Sequence, residues 1–339
     1  MPLYAYALVL CIPPVAAYAM TNLGVSPWFF AAIFWVAIPI ADALIPGHRR
    51  NANVATELGR RKNRAFDLLL YAAVPIHLGA VLWLAAHAGQ LAAFDLVGAV
   101  LYSGTACGVL AINVGHELGH RPRRFEQFLA KILLASTLYS HFYVEHNRGH
   151  HARVATPEDP ASARRGEVLY AFWLRSLTGS FVDALHIDRA QVLRWKLVEV
   201  GILVAAALAC GPVGLATFVA SAIVGVLLLE TVNYVEHYGL ARARSPVRAG
   251  QDRVAYERVS PAHSWTSDHP VGRALLFDLP RHADHHAHPA RPFQVLRHMP
   301  DAPELPTGYA GMVVLALCPP LFMAVMDRRL VTEQRRLAA

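Results

Sequence analysis

The stretch Glu145-His146-Asn147-Arg148-Gly149-His150-His151 places three imidazoles within six residues of a chain that is otherwise strongly apolar. Three further histidine groups fall around it. Gly115-His116-Glu117-Leu118-Gly119-His120 closes one apolar run, and Asn233-Tyr234-Val235-Glu236-His237-Tyr238-Gly239 closes another. Arg281-His282-Ala283-Asp284-His285-His286 follows toward the C-terminus. On an α-helix residues i and i+4 share a face. His116 with His120, His146 with His150, and His282 with His286 are therefore each expected to form a chelating pair. His151 and His285 widen two of the groups, and His237 projects from the end of its run, which makes nine candidate ligands. That is more than one ion with open positions uses, so two metal ions is the economical count. Neutral imidazole suits zinc, copper, iron and nickel alike, so ligand type does not name the metal. Glu117, Glu145, Glu236 and Asp284 each directly precede a candidate ligand. Carboxylates beside such histidines commonly accept the outer ring N–H and fix the tautomer. That role is expected of these four, with Glu117 alternatively a ligand or general base.

The rest of the chain reads as a membrane protein. Its 339 residues are 55% hydrophobic and 16% charged, with a mean hydropathy of +0.33. Runs long enough to cross a hydrocarbon core of roughly 30 Å, which takes about 20 helical residues, occur near 3–19, 28–45, 66–86, 94–114 and 213–235. A shorter run at 197–210 contains Glu199 and leads through Gly211-Pro212, a natural tight turn, into the last of these. The expected fold is all-α: six transmembrane helices with a histidine-rich cap. Helices 1–4 would occupy residues 1–114, an insertion with the first two histidine motifs 115–196, helices 5–6 residues 197–236, and a C-terminal region with the remaining motifs 237–339. Within the insertion, the apolar stretches 128–143 and 168–181 are expected to be cap helices. The stretch 309–326, interrupted by Pro319-Pro320, is expected to pack at the interface.

Orientation follows from Lys and Arg. Arg49, Arg50, Arg60, Arg61, Lys62 and Arg64 follow the second run, and Arg121, Arg123 and Arg124 the fourth, whereas the connections at 21–27, 87–93 and 211–212 carry none. Positive residues mark the cytoplasmic side, so both termini and all four histidine groups are expected there. The net charge of +7 then reflects a membrane face rather than nucleic-acid binding, since the basic residues are not interleaved with aromatics in a stripe. No cleavable leader is expected, because the first run lacks a basic start and contains Pro13-Pro14.

Competing readings differ in what they leave over. His116-Glu117-Leu118-Gly119-His120 alone matches the HExxH pattern of zinc proteases, but that reading leaves seven clustered histidines without a role. Metal transport or storage would favour ionisable residues through the bilayer centre, whereas Asp42, Asp95, Glu199 and Glu230 are few and mostly near run ends. Isolated histidines (His48, His77, His87, His186, His263, His269, His298) are read as surface or satisfied core residues, and His141 and His288 as neighbours of the site. Cys11, Cys107, Cys210 and Cys318 lie in apolar runs without a CxxC pair. They read as buried small hydrophobes, which leaves the chain without an electron-transfer centre of its own.

The segments HELGHR (116–121), EHNRGHHARVATPEDPASAR (145–164), NYVEHYGL (233–240) and RHADHHAHP (281–289) resemble those of the membrane alkane monooxygenases. These are integral-membrane diiron hydroxylases related more distantly to xylene monooxygenase and to membrane fatty-acid desaturases. The resemblance extends through ERVSPAHSW (257–265) and LPTGYAGM (305–312), and covers most of the chain from about residue 30 to 329. A desaturase would share the histidine spacing but not VATPEDPASAR or NYVEHYGL. The resemblance implies two irons held by His116, His120, His146, His150, His151, His237, His282, His285 and His286. It also implies oxidation of a terminal methyl group to a primary alcohol with O2, and electrons from NADH through a reductase and rubredoxin. Hydroxylation of aromatic methyl groups, or desaturation, is the alternative. Pro280, Ala283 and Arg121 depart from the residues usual in relatives, and none of them replaces a candidate ligand.

An alkane has no polar handle, so its binding would rest on apolar burial, about 0.8 kcal/mol per CH₂. The channel lining is expected to include aromatics such as Trp28, Phe34, Trp35, Trp83 and Tyr102. Arginines at positions 148, 153, 164, 165, 242, 244, 248, 253 and 258 would offer a basic surface to an acidic redox partner.

Overall fold

The computed structural model describes residues 1–245 and 255–338. Arg248 and Arg253, two of the arginines expected on the partner-facing surface, lie outside the described residues. Among the described residues the architecture is helical, with two isolated bridges (Arg244 to Tyr256, Thr266 to Glu304) and no strand ladder.

Among the described residues five helices are long and apolar enough to cross a membrane: Leu3–Asn22, Pro27–Leu44, Ala65–Gln90, Ala93–Gly119 and Leu169–His237. Large apolar side chains on them stay exposed, among them Leu8, Phe29, Leu82, Phe94 and Leu208, as a lipid-facing surface requires. The fifth helix is 69 residues long, which at 1.5 Å per residue would reach about 100 Å, several bilayers' thickness, if straight. It is not straight. Its backbone leaves helical geometry at Asp188 and at Gly211 (φ +66°). The second break separates the two apolar runs read from the sequence, 197–210 and 213–235. Ile202, Leu203, Ala206 and Cys210 from one side of Gly211 pack with Leu215, Phe218 and Val219 from the other, so the chain folds back there. Gly211 is one position where a left-handed backbone is required.

Ala93–Gly119 is the most enclosed of the five helices. It approaches the last third of the long helix so closely that a Cβ on Gly225 would sit 2.6 Å from the Cβ of Cys107. Both Ala93–Gly119 and Leu169–His237 end in candidate ligands, so this tight seam brings His116 and His237 to the same depth. The shorter helices Arg124–Ala135, Pro270–Leu275, His282–Ala287, Tyr309–Ala316 and Pro319–Ala338 lie around that end. Trp265, fully buried, anchors the connection: its indole N–H donates to the Tyr238 carbonyl at 2.9 Å and its backbone N–H to the Glu236 carbonyl at 2.8 Å.

Asp42, buried in the second membrane helix, accepts the backbone N–H groups of Gly272 (2.9 Å) and Ala310 (3.3 Å), tying the starts of two cap helices to the membrane domain. Arg281 does similar work beside the last histidine group. Its guanidinium donates to Asp268 (2.9 Å) and to the Leu296 carbonyl (2.7 Å), fixing where the His282–Ala287 helix begins.

Candidate metal centre

The nine clustered histidines converge as two adjacent groups. In one, His116, His120, His146, His151 and His285 each offer a ring nitrogen; in the other, His150, His237, His282 and His286 do so. Within each group these atoms lie within 4.8 Å of one another. The closest Nε2 pairs of the first group are His116–His285 at 2.9 Å, His146–His151 at 3.0 Å and His151–His285 at 3.1 Å. In the second they are His150–His286 at 3.2 Å and His237–His282 at 3.3 Å. The groups abut, with His151 and His286 rings 4.4 Å apart.

These spacings fit metal coordination. Two imidazole nitrogens about 2.1 Å from one ion, at 90–110° to each other, would be about 3.0–3.4 Å apart. A neutral imidazole offers one N–H and one lone pair, so five or four nitrogens aimed at one point cannot satisfy each other. His120 Nε2 is buried with no partner at all. Burial, followed by the neighbouring rings, holds His146, His151, His282, His285 and His286 well below the ordinary imidazole range. His120 is pushed down to about 3, again chiefly by burial. Neutral rings keep their lone pairs available, as metal ligands must.

The pairing expected from α-helical spacing is corrected at one place. His146 and His150 belong to different groups, because His146–His150 is a π-helical turn. The His151 N–H reaches the His146 carbonyl five residues back, so His146 aligns with His151, and His150 turns to the second group. His116 with His120 and His282 with His286 do share a group, and His285 joins the first. A second π-helical turn, Cys107–Ile112, lies just before Asn113 and His116.

Of the four adjacent carboxylates, only Glu236 touches a clustered histidine. Its Oε2 lies 3.2 Å from His282 Nε2, the nitrogen that faces His237 rather than the outer one. The other three point elsewhere, and cations claim two of them. Glu117 pairs with Arg121 and accepts the Phe293 N–H (3.2 Å). Asp284 takes two bonds from Arg291 (2.6 and 2.7 Å), the Arg297 N–H (2.8 Å) and His288 Nδ1 (2.9 Å). Glu145 lies 3.9 Å from Arg153, with one carboxylate oxygen unpartnered.

The residue missed from the sequence is Asp159, inside the ATPEDPASAR stretch. Buried, it accepts from His150 Nδ1 at 2.9 Å, from the Ser162 hydroxyl at 2.5 Å and from the Ala161 N–H at 3.1 Å. Burial alone would raise its carboxyl, but the His150 ring and these bonds outweigh it, and the group is held below the usual carboxylate range. The signal available was the Asp-Pro-Ala-Ser turn, in which an Asx side chain bonds its own backbone two residues on. His263 contributes a backbone carbonyl 3.5 Å from His237 Nδ1. His141 is buried between Tyr139 and Phe181 without a polar partner, outside both groups.

An apolar cavity of about 70 Å³ lies between the membrane helices; none of the nine histidines lines it, but Asn113 in its wall stands one helical turn before His116. Its walls include Val109 and Asn113 from the helix that carries His116, Leu228 and Val232 from the helix that carries His237, Leu279 from the segment leading to His282, Trp35 from Pro27–Leu44 and Tyr309 from Tyr309–Ala316. Phe34 and Trp35 line it, whereas Trp83 and Tyr102 line a separate small cavity and Trp28 stacks on Phe94.

Comparison with known proteins adds the family. The Fatty acid desaturase family matches residues 94–315. Alkane 1-monooxygenase 2 of Pseudomonas aeruginosa is 38% identical over 319 residues, covering 89% of this chain and 83% of that protein. Alkane 1-monooxygenase 1 of Alcanivorax borkumensis is 36% identical, covering 94% and 82%. The chain belongs to the alkane 1-monooxygenase family. It is thus a multi-pass membrane oxidoreductase with two histidine groups able to hold metal. A more distant relative, the xylene/toluene monooxygenase hydroxylase component of Pseudomonas putida, is 28% identical over 94% of the chain and 86% of that protein.

Proposed function

We propose that this protein hydroxylates the terminal methyl group of alkanes to primary alcohols with O2, on two iron ions held by the nine histidines. The observation that carries this reading is the convergence of the nine histidines in two adjacent groups, on membrane helices that also wall an apolar cavity. His116, His120, His146, His151 and His285 would hold one ion, and His150, His237, His282 and His286 the other. Bound iron would supply O2 activation strong enough to break an unactivated C–H bond. The chain's own residues do the rest. Asp159 accepts the His150 Nδ1–H, which turns Nε2 toward the group. The apolar walls bind a hydrocarbon by burial, about 0.8 kcal/mol per CH₂, and exclude water. Entry of the chain end-on past wall residues such as Trp35, Val109 and Leu228 would favour the terminal carbon.

Six crossings, counted with the hairpin at Gly211 as two, would leave both termini and the histidine cap on the cytoplasmic side of a bacterial inner membrane. The Arg-rich connections support that orientation. The four-part division of the chain stated above describes which segments would cross and which would cap. Since no cysteine pair is available for a redox centre, electrons would come from rubredoxin reduced by an NADH-dependent reductase.

Metal analysis with Mössbauer spectroscopy on purified protein, paired with octane-to-octanol conversion in the presence of rubredoxin and reductase, tests the reading. Two irons per chain and octanol are expected, and His150→Ala or His285→Ala should lose both iron and turnover. Zinc in place of iron, or full activity in either variant, would overturn it. Toluene and a fatty-acyl substrate in the same assay distinguish the relatives' chemistries.

A further inference from the structure

Asn113 stands out in the cavity described above. The wall around it is almost wholly apolar, yet the Asn113 side chain is 94% buried, as 6% of its surface stays exposed, and its amide nitrogen has no hydrogen-bond partner. The other polar groups of the wall are engaged. Thr105 accepts from the Trp35 indole (3.0 Å) and donates to the Leu101 carbonyl (2.8 Å), and the Tyr309 hydroxyl donates to the Trp265 carbonyl (3.4 Å). Asn113 also has a position none of those shares. It begins the α-helical stretch Asn113–Gly119, three residues before His116, so the two side chains lie on one face, one turn apart.

An unpaired buried amide costs about 1–3 kcal/mol, and leucine would fill the same space without that cost. A hydrocarbon passing Asn113 cannot satisfy it. The product can, because hydroxylation creates an oxygen at the end of the chain that lies nearest the histidines. We propose that Asn113 is a recognition residue for the terminal hydroxyl of the alcohol product, its Nδ2–H donating to that oxygen. The cavity therefore holds a primary alcohol more tightly than the alkane of equal length. The inference rests on the alkane-hydroxylase reading and adds a polar subsite to it.

The test measures equilibrium binding of octane and of 1-octanol to the full-length protein in lipid nanodiscs, and the inhibition of octane turnover by 1-octanol. Wild type, Asn113→Leu and Asn113→Ala are compared; the alanine variant serves if leucine does not fit. A neutral hydrogen bond contributes about 0.5–1.5 kcal/mol net, which is about two- to twelvefold in affinity. The preference for octanol over octane should fall by that factor in both variants, with the inhibition constant for octanol rising in parallel. An unchanged preference in both variants, while octane is still hydroxylated, overturns the inference and leaves the hydroxylase reading standing. Failure of the wild type to hydroxylate octane at all is a different result, and it strikes the reading beneath.

Discussion

Asp159→Asn removes one negative charge from a buried position while keeping the shape of the side chain. The carboxylate takes the His150 Nδ1–H at 2.9 Å and is itself held by Ser162 and the Ala161 N–H, so His150 is presented with its Nε2 toward His286, 3.2 Å away. Loss of such a charged partner typically weakens metal binding by about 10- to 100-fold, or about 1.4–2.7 kcal/mol. None of the five residues of the other group bonds to Asp159, so the effect should be confined to one ion. The assay is an anaerobic chelator titration of the iron-loaded protein with metal analysis at each step. Wild type and variant should release one equivalent at similar chelator concentrations, and the variant should release the other at a concentration about 10- to 100-fold lower. Release curves that superimpose, or that shift equally for both equivalents, would refute the assignment of Asp159 to the four-histidine group.

Three more outcomes follow. In the metal-free protein the buried rings of His120, His146, His151, His282, His285 and His286 are held below their ordinary value of 6.5, so the unfolded chain binds more protons than the folded one below that pH. Their contribution is complete above about pH 6.5 and is lost as pH falls, and the Tm of chelator-treated protein should drop between pH 7 and 5; a flat profile would contradict neutral burial. Gly308→Ala would drive its Cβ into the Asp42 carboxylate, which must then give up the Gly272 and Ala310 N–H groups, at about 1–3 kcal/mol for donors left unpaired; an unchanged Tm would count against that anchor. Turnover with a rubredoxin donor should fall steeply from low to high ionic strength without loss of iron if arginines guide docking, and salt-insensitive turnover would remove that role.

Most of the fold was legible because apolar runs and arginine-rich connections report directly on burial in lipid. The nine histidines were legible for a related reason: polar rings at the ends of apolar helices need a purpose. What the sequence hid was set by backbone geometry. Nothing in Glu145–His151 announces a π-helical turn, and α-helical spacing assigned His150 to the wrong neighbour, since a π-helical turn makes the step five residues rather than four. The carboxylates were misjudged for another reason. Adjacency in sequence says little about contact across a fold, and Glu117 and Asp284 were claimed by Arg121 and Arg291, four and seven residues away. Asp159 reaches His150 because the chain turns back after Thr156, which the nine-residue separation does not reveal.

The distribution of charge around the two groups explains why they need not behave alike. Buried ions demand nearby negative charge or a rich set of donors. The five-histidine group has the richer set, and His120 and His151 within it are only partly buried, so solvent shares in screening its ion. Glu117 and Asp284, adjacent in sequence to its His116 and His285, have their charge countered by arginine, and Glu145, adjacent to His146, lies 3.9 Å from Arg153. The four-histidine group has one donor fewer, and all four of its rings are buried. It is there that Asp159 and Glu236 approach the rings without an arginine bound to either, and Asp159, held below the usual carboxylate range, makes up in charge what the group lacks in donors and solvent. The wall of the apolar cavity draws on segments leading to both groups, Asn113 one turn before His116 and Val232 and Leu279 before His237 and His282, while the partly exposed His120 and His151 belong to the five-histidine group.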